Sequence, residues 1–294
     1  MTSPMPMTRA RRVLLVLGLP VVLAFIGALA VNAIALADQV SYHVHRSFAA
    51  GAGPIRISVD NADASYRPAP GRRISVTGTL RGSLARPTLT WQATPGNLAL
   101  HTQCRVPTGD CSEAFDIAVP AGRRLRLSDS SGDLHASNFS GHVTLSDGSG
   151  DIGASGLSGV LSLTDGSGDI GASRLSGVLS FADGSGDIAA SGLNGSHVTL
   201  SDDSGDISVA GLTGTDVTAK DGSGDIALTF AKVPRRVDVT DATGDVHLVL
   251  PHGSTRYQVQ ASSQSGTTSV SVPRTTSPAH VIIVSVGSGN ITVS

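Results

Sequence analysis

Paired aspartates that flank glycine turns are the residues of this chain best placed to do chemistry. Asp147-Gly148-Ser149-Gly150-Asp151 puts two carboxylates at the two ends of one tight turn, and the pattern returns along the chain. If the units stack, the carboxylates fall into two columns. One is Asp129, Asp147, Asp165, Asp183, Asp202, Asp221 and Asp241; the other is Asp133, Asp151, Asp169, Asp187, Asp206, Asp225 and Asp245. Carboxylates and turn carbonyls are hard oxygen ligands that can hold Ca²⁺ between coils. A carboxylate pair can also cleave a glycosidic bond. The third use is architectural: each Asp accepts hydrogen bonds from its own turn while Gly supplies unusual backbone angles. A feature repeated seven times builds a turn more naturally than it marks one active site. The nonapeptide of calcium β-rolls is not present, and this period is twice as long. Like charges ~4.8 Å apart repel by roughly 1 kcal/mol per neighbour in water, so something must offset the columns.

Other signatures of catalysis or cofactor binding are weak. Gly148 to Gly153 fits G-x-G-x-x-G, but a short strand pattern follows where a dinucleotide fold needs a helix, and the motif recurs every 18 residues. There is no G-x-S-x-G elbow, no H-E-x-x-H and no P-loop lysine. His142 and His197 occupy equivalent slots three coils apart, about 14 Å by coil spacing, too far to share a metal. Trp91, the one tryptophan, reads as core rather than as a ligand platform. The chain is therefore expected to be no enzyme and to carry no cofactor, metal site or nucleotide site.

The elements that position the turns follow from the repeat. The turn glycines are Gly132, Gly150, Gly168, Gly186, Gly205, Gly224, Gly244, Gly266 and Gly289, spaced 18, 18, 18, 19, 19, 20, 22 and 23. Between them the apolar residues alternate with period two, which is strand periodicity. Ile152, Ile170, Ile188, Ile207, Ile226 and Val246 make one column. Val143, Leu161, Leu179, Val198, Val217 and Val237 make a second, and Leu145, Leu163, Phe181, Leu200, Ala219 and Val239 a third. Eighteen residues are too few for an independent core, so neighbouring units must cover one another. The expected fold is all-β, a parallel β-solenoid of about 18–20 residues per coil over 129–294. A β-rich cap over 38–128 precedes it, with alternating Ile55, Ile57 and Val59 and again Phe115, Ile117 and Val119. The tail with Val281-Ile282-Ile283-Val284 is expected to cap the far end.

Composition narrows the partners. Of 23 acidic residues, only Glu113 is not Asp, which suits turns rather than surface helices. Residues 38–128 hold eleven Arg and six acids, net +5; residues 129–245 hold five Lys+Arg and 17 Asp, net −12. A centrally acidic chain with 3% aromatic residues disfavours nucleic acid.

The amino terminus speaks to compartment. Arg9, Arg11 and Arg12 in the tail 1–12 precede an uncharged stretch, Val13 to Ala37. As a helix it reaches about 37 Å, enough to span a membrane, and the arginines hold its start in the cytoplasm. One N-terminal transmembrane helix is expected, although Ala35-Leu36-Ala37 also fits a signal-peptide cleavage site after Ala37. Either way the remainder lies outside the cytoplasmic membrane. In an exported chain the two cysteines, Cys104 and Cys111, suggest a disulfide across a hairpin; the rivals are free thiols or half a metal site.

A resemblance adds to this. Val59-Asp60-Asn61 ends a first strand; Cys104 and Cys111 follow, then Phe115-Asp116-Ile117-Ala118-Val119-Pro120, an Arg-rich link, and Leu127-Ser128-Asp129-Ser130-Ser131-Gly132-Asp133 opening the coils. In this order they resemble the bacterial "putative adhesin" family, a β-solenoid domain of unknown function, over roughly residues 45–294. The resemblance implies a surface protein, often with an N-terminal membrane segment, and no catalytic residues. The expected function is a non-enzymatic adhesin-like protein, membrane-attached through its N-terminal helix, presenting an acidic solenoid to a cell-wall or protein partner. The alternatives are an extracytoplasmic accessory or sensor domain of a membrane signalling system, a calcium-stabilised solenoid, and a carbohydrate-active β-helix.

Overall fold

The computed structural model describes residues 39–83, 87–103, 111–276 and 279–294. These residues form two large sheets packed face to face over one continuous core. The N-terminal part supplies β1 (Gln39–Ala49), β2 (Ile55–Asp60), β3 (Asp63–Ala69), β4 (Arg73–Ser83), β5 (Thr88–Thr94), β6 (Asn97–Gln103) and β7 (Cys111–Pro120). Each later coil then adds one strand to each sheet. The pairs are β8 (Leu125–Asp129) with β9 (Leu134–Ser137), β10 (Ser140–Ser146) with β11 (Ile152–Ser155), and β12 (Ser158–Thr164) with β13 (Ile170–Ser173). Next come β14 (Ser176–Asp183) with β15 (Ile188–Ser191), β16 (Asn194–Asp202) with β17 (Ile207–Leu212), and β18 (Asp216–Asp221) with β19 (Ile226–Phe230). The last are β20 (Arg236–Thr243) with β21 (Val246–Val249), β22 (Gln258–Ser265) with β23 (Thr268–Val270), and β24 (Val281–Ser288) with β25 (Ile291–Val293).

The expected columns are register columns. Ile152 faces Ile170, Ile170 faces Ile188, and the series continues through Ile207 and Ile226 to Val246. Val143 to Val237 and Leu145 to Val239 align in the same way in the other sheet. All are buried. An all-β, mostly parallel solenoid with an N-terminal cap sheet follows directly, because a one-residue slip would turn every one of these side chains to water.

The stacking order departs from chain order at both ends. At the start, β2 and β3 form the coil directly beneath β8 and β9, although some 70 residues separate them. At the far end β24 inserts between β20 and β22, and β25 between β21 and β23. The Val281–Val284 segment is thus an interior strand, and β22 is the edge. Composition explains the swap: β24 reads VIIVSVGS and gains from a neighbour on each side, whereas β22 reads QVQASSQS and tolerates an edge. At the N-terminal end β4 runs antiparallel to β1 and β7, and β5 antiparallel to β6. Phe48 meets Trp91 at 5.5 Å between centroids, and the Arg46 guanidinium lies 5.9 Å from the Trp91 ring. Trp91 therefore helps close the end of the core.

Two expectations fall wholly or partly outside the described residues. Among the described residues no helix is long and apolar enough to cross a membrane, because their apolar residues alternate with polar ones in strands. Of the two cysteines only Cys111 is among the described residues, and it is disulfide-bonded. Val13 to Ala37 and Cys104 both lie outside the described residues. Cys111 opens β7, where it is not a free thiol.

Candidate functional site: the aspartate turns

Each turn joins a strand of one sheet to a strand of the other, and its two aspartates do different work. Asp129, Asp147, Asp165, Asp183, Asp202, Asp221 and Asp241 are only 2–6% exposed. In each, Oδ1 accepts hydrogen bonds from N–H groups of its own turn. Asp147 accepts from Gly148 at 2.6 Å and Ser149 at 3.2 Å, Asp165 from Gly166 at 2.6 Å and Ser167 at 3.3 Å, and Asp241 from Thr243 at 2.9 Å. The Oδ2 atom of each is buried with no hydrogen-bond partner. Burial pushes Asp129 up to about 8 and Asp165, Asp202 and Asp241 up to about 6, against the pull of the turn N–H groups. Asp147, Asp183 and Asp221 are raised by the same cause.

The second column is exposed and stitches coil to coil. Asp151 N–H donates to Asp133 Oδ1 at 3.1 Å, Asp169 N–H to Asp151 at 2.9 Å, and Asp187 N–H to Asp169 at 2.9 Å. Asp206, Asp225 and Asp245 continue at 2.8 Å each. Asn290 N–H then donates to Asp245 at 2.7 Å, and Thr267 N–H to Asn290 Oδ1 at 3.0 Å, in stacking order rather than chain order. Below, Asp133 N–H donates to Asp63 Oδ1 at 3.2 Å. Backbone donors thus offset the repulsion between these carboxylates.

The structure brings the two columns together as turn and ladder. Among the described residues no three His, Cys, Asp or Glu side chains form a group able to hold a metal ion. His142 and His197 share a register column with Val160 and Val178 between them, and do not meet. Gly148 to Gly153 leads into the strand β11, which provides no helix N-terminus for a phosphate. Sequence reasoning missed Asp63, which carries the exposed ladder down into the β2–β3 coil, where Val59 stands opposite the buried Asp129. The signal was Ile57-Ser58 matching Leu127-Ser128, with a turn of the same length to Asp63, but Val59 replaces the buried Asp and no glycine marks the turn.

Replacing Asp187 with alanine removes the acceptor for the Asp206 N–H. A loss of about 1 kcal/mol in urea unfolding is expected, and Asp187→Asn, which keeps Oδ1, is expected to restore most of it.

With this geometry in hand, comparison with known proteins is specific. The model of the Toastrack DUF4097 family matches residues 54–294. The chain belongs to the Toastrack DUF4097 family. The Toastrack match begins at Pro54, one residue before β2, so it takes in the displaced first coil as well as the regular ones. Among solved structures, the "putative lipid binding protein" of Parabacteroides distasonis is similar at 11% identity and a TM-score of 0.52, over 87% of this chain and 97% of that one. The "putative adhesin" of Bacteroides fragilis is similar at 12% identity and a TM-score of 0.48, over 86% and 97%. At these identities the first likeness speaks to the Toastrack fold alone, and the second is below the level at which it supports an argument. No curated protein matches the chain.

Proposed function

We propose that this Toastrack chain is a non-enzymatic surface protein that presents its acidic solenoid outside the cytoplasmic membrane to a cell-wall or protein partner. The observation that carries the reading is the use of the turn carboxylates. Every one of the fourteen repeated aspartates either closes its own turn or bonds the next coil, so the residues best placed for chemistry are spent on holding a long, regular surface. Solenoids of this kind offer extended faces to partners. The basic N-terminal tail and apolar stretch at 13–37 support export or attachment. The test is protease accessibility of a C-terminal tag in intact bacteria producing the full chain. Degradation without permeabilisation is expected; a tag protected until the membrane is opened would overturn the reading.

A further inference from the structure

We propose that Arg56, Arg124 and Arg126 form a binding site for a phosphate-type oxyanion on the outer face of the sheet that contains β2 and β8. The two strands are parallel, and Arg56 is the register partner of Arg126, side by side at the strand spacing of ~4.8 Å. Ile55, Ile57, Leu125 and Leu127 point into the core, which turns Arg56, Arg124 and Arg126 outward, and all three are exposed. Adjacent like charges are unfavourable, and proteins ordinarily relieve them with a carboxylate. Elsewhere on this surface they do: Arg67 pairs with Asp116, Arg235 with Asp216 and Arg236 with Asp238. Among the described residues, none of the three has an ion pair or a side-chain hydrogen bond. The nearest acid on the same strand, Asp60, is already engaged by His101 at 2.5 Å and by Ser130 Oγ at 2.7 Å.

The surface is also shaped. Arg56 and Arg126 line two adjoining hollows. One, of about 300 Å³, is completed by Pro54, Arg124, His142 and Thr144. The other, of about 400 Å³, lies against the β5–β6 hairpin, with Gln92, Thr94 and Asn97. Guanidinium forks match the oxygens of phosphate two at a time, and three of them suit a group with more than one negative charge. The neutral donors on both sides add hydrogen bonds. No aromatic ring lines either hollow except that of His142, so stacking on a base or sugar contributes little. This site does not depend on the surface role proposed above.

The test titrates the full chain, in neutral detergent micelles, with inorganic phosphate by calorimetry. Saturable binding is expected, weakened by added salt. The double variant R56Q/R126Q is expected to bind about tenfold or more weakly, with an unchanged circular dichroism spectrum. R124Q, which lies before β8 and leaves both strands untouched, is expected to fall between. The charge-matched control R72Q/R81Q, just before and within β4 of the other sheet, is expected to bind as the parent does. A second arm compares mixed micelles containing phosphatidylglycerol with micelles containing phosphatidylcholine. Arginine-dependent preference for phosphatidylglycerol assigns the site to a lipid headgroup; phosphate binding without that preference assigns it to a soluble phosphate. No saturable phosphate binding, equal affinity in R56Q/R126Q, or an equal loss in R72Q/R81Q would overturn the proposal.

Discussion

Gly186→Ala is expected to destroy the cooperative stack, at a cost above about 4 kcal/mol. A Cβ at that position would stand 1.9 Å from the carbonyl oxygen of Gly168 and 2.6 Å from its carbon. Both are backbone atoms of the preceding turn, held by ladders above and below, so neither can move aside alone. Gly168 meets Gly150 at 2.1 Å and Gly205 meets Gly186 at 1.9 Å in the same way. Relief therefore requires opening the spacing between coils, which breaks hydrogen bonds in both sheets and in the aspartate ladder. The natural control is Gly53→Ala, where an added Cβ meets nothing within 4 Å. Its effect is expected to stay within about 0.5 kcal/mol. Urea unfolding followed by circular dichroism measures both. A Gly186→Ala protein that unfolds at nearly the parent's midpoint would show that the coils do not approach as closely as the turns require.

The contrast between these glycines and the rest of the molecule shows what periodicity can and cannot convey. The columns through Ile152, Val143 and Leu145 are legible because each coil repeats the same alternation and each residue's partner lies one period away. The Ser-Gly-Asp turns are legible for the same reason. The order of the last coils is not. Placing β24 between β20 and β22 depends on competition between two strands for a doubly covered position, and sequence spacing carries no trace of that competition. The same limit hid the first coil. Its turn carries Val59 where the later coils carry the buried Asp, and β2 reaches β8 only after a cap of about 55 residues that shares no repeat with it. Arg56 and Arg126 illustrate the consequence. The positive balance of residues 38–128 is plain in the composition, but the pairing of two arginines 70 positions apart exists only in the register of β2 against β8. The split of work between the two aspartates was likewise invisible, since both flank the same glycines and only the fold decides which is covered.

That split leads to the second large effect: thermal stability is expected to rise as pH falls from 8 to 5. Burial pushes Asp129 up to about 8 and Asp165, Asp202 and Asp241 up to about 6. Carboxylates of neighbouring coils push the same way, as Asp147 and Asp183 do to Asp165. In the unfolded chain an Asp titrates near 4. Between roughly 4 and these raised values the folded protein holds protons that the unfolded chain has released, so stability falls as pH rises through the window and levels off above it. Below about pH 4 both states are protonated at these groups, which then contribute no further gain. Each tenfold difference in proton affinity between the folded and unfolded chain corresponds to about 1.4 kcal/mol. Because neighbours in the column titrate together, their contributions do not simply add, and a gain of several kcal/mol is expected. For a domain of this size that is on the order of 5–10 °C in Tm between pH 8 and pH 5. Calorimetric scans at constant ionic strength measure it. Asp165→Asn isolates the cause, since it keeps the Oδ1 acceptor for Gly166 and Ser167 but removes a buried charge. It is expected to raise Tm at pH 8 and to change it little at pH 5. A parent Tm that is flat, or higher at pH 8, would mean that these carboxylates are ionised and satisfied in the folded chain. The orphaned Oδ2 atoms make the opposite case: an acceptor is needed at Oδ1 to shape each turn, the second oxygen has no donor to meet, and a proton is the least costly way to leave it there.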